Sequence, residues 1–347
     1  MTDHPLLRRA APWLLLAALA GATSCAHDVT GPAAGAAMEL TLHGLGPLDP
    51  AEGSYELWVY PRTGTPVPAG RFQLAGTTLG GDATIDFELP MADASRIAVT
   101  VEPPGDSDSV PSRSELMAGR FDHGAAHLSI EGSVTDGRPL ETDPGHHSLF
   151  TTSNNLQYGY PSDENSGLWL FSLQVDINKS KTRWVKLTPL QAGWTYEGWI
   201  IYRQGTPQEV WIPYGKYRPD LDGFLTSRDN TGSGYFSGDP DYVNGGVEDV
   251  PGDEWTTSTV AAHLGLAMPG GLKLPLQLNA VDSATGKAVW HHVITIEPAF
   301  DEDEAPLADR PFVLRPYWNP VGAGGPGVPR EILYQHNDPS GEVRVAR

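Results

Sequence analysis

Glu56 and Glu197 each stand two residues before a tryptophan, Trp58 or Trp199, and each is followed beyond a turn by a cation, Arg71 or Lys216. If each carboxylate and its cation face one another across a hairpin, the pair forms a cross-strand ion pair, typically about 0.2–1 kcal/mol at an exposed site. The alternative is two solvated charges. Side chains alternate along a strand, so Trp58 and Trp199 lie on the opposite face from Tyr55 and Tyr196. These tryptophans therefore either pack in a core or form an exposed platform for a glycan or peptide. Candidate binding residues are thus Trp58, Trp199, Glu56 and Glu197.

Oxygen-rich loops offer a second chemistry. Asp106-Ser107-Asp108 and Asp301-Glu302-Asp303-Glu304 are candidate calcium loops through Asp106, Asp108, Asp301 and Asp303. Neither has EF-hand spacing, and a solvated acidic loop is the default. His146-His147 and His291-His292 are adjacent pairs. Neighbours on a strand point to opposite faces, so neither pair presents two ligands to one zinc ion; surface histidines are expected. The sequence contains no Gly-x-Ser-x-Gly elbow, His-Glu-x-x-His, phosphate loop or dinucleotide fingerprint. Carboxylates are numerous enough for a glycosidase pair, but their number selects none. No catalytic residue and no cofactor is expected.

The elements that must carry these residues read as strands. The chain of 347 residues has room for two domains and contains 39 Gly and 31 Pro, which leaves little room for long helices. Tyr55–Tyr60 and Tyr196–Tyr202 are rich in aromatic and β-branched residues. Gly64-Thr65-Pro66 and Gly205-Thr206-Pro207 follow as turns, nine residues after Tyr55 and Tyr196 in both cases. Residues 83–89 alternate apolar and polar, as a strand with one wet face does, while 97–101 are continuously apolar, as in a buried strand. Two further segments match each other: Ile97–Pro103 before Asp106, and Val293–Pro298 before Asp301. Two motifs in the same order, each with one equal spacing, indicate a diverged duplication.

The N-terminus reads as an export address. Arg8 and Arg9 precede a short apolar stretch, and Gly21-Ala22-Thr23-Ser24 leads to Cys25, the chain's one cysteine. Small residues ending at a lone cysteine resemble a bacterial lipobox, although Ala22 stands where leucine is usual. The resemblance implies a lipid on Cys25 and membrane attachment without a spanning helix; an ordinary secretory signal is the alternative. Ala26 in place of aspartate leans towards the outer membrane in a two-membraned host.

The repeated residues resemble the extracytoplasmic C-terminal domain of anti-sigma-K factors. Tyr55, Leu57 and Trp58, then Gly64-Thr65-Pro66, Gly70 and Phe72, and finally Val101-Glu102-Pro103 carry the resemblance in the first copy. A larger second copy covers Gly167–Phe171, Tyr196–Tyr217 and Thr295–Pro316. The resemblance implies an outer-domain fold and location. The family's cytoplasmic sigma-binding segment and transmembrane helix are not expected in this chain, so a cytoplasmic sigma factor is not an expected partner.

The expected architecture is all-β: two tandem antiparallel β-sandwich (Ig-like) modules after a signal peptide and flexible tether. The divisions are 1–24 signal peptide, 25–37 tether, 38–134 first module, 135–320 second module with a surface insertion at 220–253, and 321–347 a loose tail. A net charge of −20 makes nucleic acid an unfavourable partner. The expected function is non-catalytic: interaction, sensing or regulation at the envelope, with the membrane held through Cys25 and an envelope protein or glycan as partner. A glycan- or calcium-binding module is the alternative, and a hydrolase the third reading.

Overall fold

The computed structural model describes residues 33–75, 81–150, 165, 167–172, 182–183, 185–219, 221–223, 269–273, 276–299, 310–325 and 327–346. Cys25, the signal region, most of the tether, most of the 220–253 insertion, Asp301 and Asp303 lie outside them. The protein is all-β with antiparallel sheets. Among the described residues there is no α-helix, only a single 3-10 turn at Pro269–Gly271, and no helix is long and apolar enough to cross a membrane.

The first seven strands are β1 (Ala37–Leu45), β2 (Ser54–Pro61), β3 (Val67–Phe72), β4 (Gly81–Glu88), β5 (Ala94–Glu102), β6 (Glu115–Asp122) and β7 (Ala125–Ser129). Then come β8 (His146–Phe150), β9 (Gly167–Trp169), β10 (Phe171–Ser172), β11 (Thr182–Arg183), β12 (Trp194–Tyr202) and β13 (Val210–Tyr217). The last are β14 (Trp290–Pro298), β15 (Leu314–Pro320), β16 (Arg330–Glu331) and β17 (Ser340–Val345).

One eight-stranded sheet runs β3-β2-β5-β6-β7-β17-β1-β4, and its two edge strands β3 and β4 approach one another, so the sheet curls. A four-stranded sheet runs β13-β12-β14-β15, and a smaller one β16-β8-β9. Hydrophobic alternation explains the outer strands. In β1, Met38, Leu40 and Leu42 are buried while Glu39 and His43 are exposed. The β4 strand keeps a wet face, as its alternation predicts. The central strands β5 and β12 are buried on both faces, in line with their continuous apolar and aromatic runs.

The order β3-β2-β5-β6 recurs as β13-β12-β14-β15. Both hairpins carry a register shift at the same place, between Leu57 and Trp58 and between Gly198 and Trp199. Opposite the shift stand Pro68-Ala69-Gly70 and Pro213-Tyr214-Gly215, each followed by the cation. The duplication therefore extends over four strands.

The expected tail is corrected. Residues 340–345 form β17, an interior strand paired with β7 on one side and β1 on the other. Val343 and Gly341 are buried, and an apolar residue every second position suits a strand. The second unit thus lies in the chain between two neighbouring strands of the first. Most of the buried apolar residues of both units form one continuous core, and Trp199, Ile201 and Val293 form a separate small cluster. At their junction Ser114 Oγ donates to the Gly193 carbonyl and Trp194 Nε1 donates to the Glu115 carbonyl.

Candidate functional site

The residues singled out by the repeat form a polar clamp that occurs twice. Glu56 is the cross-strand partner of Arg71, with Arg71 Nε 2.9 Å from Glu56 Oε2. Glu197 is likewise opposite Lys216, at 3.6 Å. Both expected ion pairs are present, on strands whose register brings them face to face.

The tryptophans complete the clamp from inside. Trp58 and Trp199 are both 0 % exposed. Trp58 Nε1 donates to Thr100 Oγ1 at 3.0 Å and Trp199 Nε1 to Thr295 Oγ1 at 3.0 Å. Thr100 in turn hydrogen-bonds Glu102 and Thr295 hydrogen-bonds Glu297. Each glutamate then accepts the backbone N–H of an incoming segment: Ser112 at 3.1 and 3.2 Å on Glu102, Phe312 at 2.9 and 3.1 Å on Glu297. Tyr55 and Tyr196, on the other strand face, donate to the Gly46 and Thr188 carbonyls, both at 2.8 Å. Burying an indole removes roughly 200 Å² from water, on the order of 5 kcal/mol, provided its N–H finds an acceptor. Thr and Glu two residues apart on β5 and β14 supply that acceptor chain.

The exposed platform expected as one use of Trp58 and Trp199 is therefore corrected. Both lie outside the main apolar core and are still sealed from water, Trp199 by packing with Ile201, Val293, Trp211 and Trp318. Electrostatics follow from that burial. Burial raises Glu56, opposed by its bond to Arg71. Burial likewise raises Glu297, opposed by the Lys216 charge and by hydrogen bonds from Thr295 and Phe312. Burial lowers Arg71, but its bonds to Asp106 and Glu56 outweigh this and its net direction is upward.

Asp106, a calcium candidate, forms an ion pair with Arg71. Asp108 accepts the N–H of Val110 within its own loop. Glu56, Glu102 and Asp106 form the one group of three described His, Cys, Asp or Glu residues whose ligand atoms lie within 4.8 Å of one another. Arg71 already sits against two of its three members. A shallow open crevice between β1, β4 and β17 is lined by Met38, Glu39, Asp86, Phe87, Arg344 and Val345.

Two constellations were not legible in the sequence. Behind Trp199, Ile201 and Val293, half-buried Trp211 and Trp318 form an aromatic cluster on the outer face of the second unit. Arg315 lies over the Trp211 ring at 4.6 Å and His291 stacks on Trp318 at 5.2 Å. The hairpin register set Trp211 beside Ile201, a signal available once Pro213-x-Gly215 was aligned with Pro68-x-Gly70.

The second is a buried histidine pair. The expectation of surface histidines holds for neither His147 nor His292, which are 0 % and 1 % exposed. Alternation turns one member of each sequence pair inward, and the two inward rings meet. His292 Nδ1 lies 3.3 Å from His147 Nδ1, and Tyr214 Oη lies 2.7 Å from His292 Nε2. Tyr214 reaches this point because Gly198 leaves room for its ring; a Cβ there would stand 1.8 Å from Tyr214 Cζ. Burial pushes His292 down to about 3, and burial first, then His292 and Arg330, pushes His147 well down.

The fold and these clamps define an all-β protein in which one four-stranded unit is used twice, with the buried carboxylates engaged in hydrogen bonds. Residues 8–115 match the family model described as "Anti-sigma-K factor rskA, C-terminal". The match takes in β1–β5 and ends at the first residue of β6, under a third of the chain, and coincides with the resemblance carried by Tyr55, Trp58 and Val101-Glu102-Pro103. No curated protein and no solved structure matches the chain.

Proposed function

We propose that this protein is a non-catalytic, lipid-anchored envelope protein whose two β units act in interaction or sensing outside the cytoplasm. The observation that carries the reading is the family match, which runs from residue 8 through the apolar stretch, the small residues and Cys25 into the first unit. The polar clamps support a non-catalytic role. Each pairs carboxylates with a cation, a threonine and backbone N–H groups, which suits loop pinning and leaves proton transfer to substrate without an open site. Lipid on Cys25 would hold the units at a membrane surface, and a cytoplasmic sigma factor is then separated by compartment.

The test is intact mass and membrane fractionation of the full-length protein beside Cys25→Ala. The expected result is a native form that begins at Cys25, carries acyl mass and pellets with membranes, while the variant does neither. An unlipidated cytosolic native protein sinks the reading.

The half-exposed Trp211 and Trp318, with Arg315 and His291 against them, favour one second reading: an aromatic face that binds a glycan through ring stacking. Titration with cell-wall glycan fragments followed by tryptophan emission would detect it. Equal spectra with and without glycan at Trp211→Ala and in the parent remove it.

A further inference from the structure

We infer that the second unit opens in acid: protonation of the buried His147–His292 pair separates the β8–β16 layer from the β12–β15 sheet.

His147 stands on β8 and His292 on β14, so the contact joins two different sheets. The rings meet edge to face, with centroids 4.7 Å apart. With both Nδ1 atoms at hydrogen-bond distance, the neutral pair shares one N–H between them. If His292 donates it, its Nε2 accepts from Tyr214, and His147 Nδ1 is the acceptor. If His147 donates it, the vacant nitrogens are His292 Nδ1, again an acceptor, and His147 Nε2, which is buried and has no partner among the described residues. An added proton destroys the inter-ring hydrogen bond at either Nδ1, charges a nitrogen that nothing solvates at His147 Nε2, or at His292 Nε2 leaves a buried imidazolium whose new N–H has only a reversed Tyr214 hydroxyl to accept it.

The groups facing the pair do not favour the charge. From β13 comes Tyr214, from β15 the cross-strand neighbour Asn319, and from β16 Arg330, the register partner of His147. Arg330 is itself buried, and its guanidinium donates to the carbonyls of Val321, Val328 and Gly324. His146, next on β8, adds a further site of the same sign. The carboxylates near β8, Asp143 and Glu331, bear on His146 and not on the pair. Both rings are therefore neutral in the closed form and take protons readily only when the layers part.

The sign follows. The folded values lie below the usual 6.5 of histidine, so closure is fully stable above that pH and weakens as pH falls below it. Two such groups raise the opening constant by about sixtyfold between pH 6 and pH 5, and one group by about eightfold. This device does not depend on the lipid anchor or on what the outer surface contacts.

The experiment is amide hydrogen exchange of β8 and β14 in the full mature chain between pH 7.5 and pH 4.5, corrected for the intrinsic exchange rate. The expected logarithmic slope of opening against pH is near zero above about pH 7 and, below about pH 5.5, approaches about −2 in the parent and about −1 in His147→Gln or His292→Gln. A flat parent profile, or variants with the parent's slope, overturns the inference. Should the variants not fold, the histidine ring protons of the parent decide by NMR. No native titration of two rings above pH 5 supports the inference, and titration of all rings near 6.5 overturns it.

Discussion

At the residue scale, the repeated Trp–Thr–Glu chain makes single-atom predictions. Trp58→Phe and Trp199→Phe keep most of the apolar surface but remove the N–H that Thr100 or Thr295 accepts. Each is expected to lower unfolding free energy by about 1–3 kcal/mol in urea titrations, with unchanged m-value. The Glu56–Arg71 pair is half-covered, with side-chain exposures of 8 % and 33 %, so a double-mutant cycle should give coupling of about 1 kcal/mol. Zero coupling would mean that the loop-pinning bonds of Asp106 account for Arg71. Arg71 also bears on calcium: it already neutralises Glu56 and Asp106, and millimolar calcium is expected to leave the melting temperature of the parent unchanged and to raise that of Arg71→Ala. Tyr55, Glu56 and Trp58 could be assigned to faces from alternation alone. The depth of Trp58 could not, because it depends on tertiary packing around its indole, whose N–H reaches Thr100 from 42 residues away.

At the element scale, two glycines are set by close approach. Gly198 lies under the ring of Tyr214, and Gly193 adopts φ +97° with the Arg113 carbonyl 2.2 Å from where a Cβ would stand. Gly198→Ala should push Tyr214 off His292, and Gly193→Ala should loosen the junction held by Ser114 and Trp194. Both are expected to cost on the order of 3 kcal/mol, read as a fall in denaturation midpoint. If Gly198→Ala were neutral, the Tyr214 ring would have another seat and the buried His292 contact would not be obligatory. The hairpins themselves were legible from tyrosine, tryptophan and Gly-Thr-Pro. The register shift opposite each Pro-x-Gly was not, because the cation follows Gly-Thr-Pro by five residues in the first copy and by nine in the second, which hides the matching bulge.

For the whole molecule, the last strand is decisive. In the eight-stranded sheet, β17 is the link between β7 and β1, so β1 and β4 reach the rest of the ladder through it. Deleting residues 338–347 should abolish cooperative unfolding and expose dye-binding apolar surface, and a synthetic peptide of that segment should restore protection in trans. A truncated chain with the parent's melting curve would show that the sheet closes without it. For the same reason a fragment ending near residue 134 should not fold alone, although it contains all the residues matched to the family.

The sequence by itself determined the all-β class, the duplication and the anti-sigma-K resemblance of the first unit, and it offered the two cross-strand ion pairs as one of two arrangements. Each of these is written in near neighbours: alternation with period two, turn residues, and short motifs repeated at equal spacing. Tertiary structure decided that the C-terminal residues complete the first sheet and that Trp58 and Trp199 are sealed. It also decided that one histidine of each sequence pair turns inward to meet the other. Those outcomes depend on which segments cover which faces. His147 and His292 are 145 residues apart and Leu42 and Gly341 nearly three hundred. Contacts at such separations arise from burial of a shared core, whose preference for apolar residues is non-directional and leaves no local pattern.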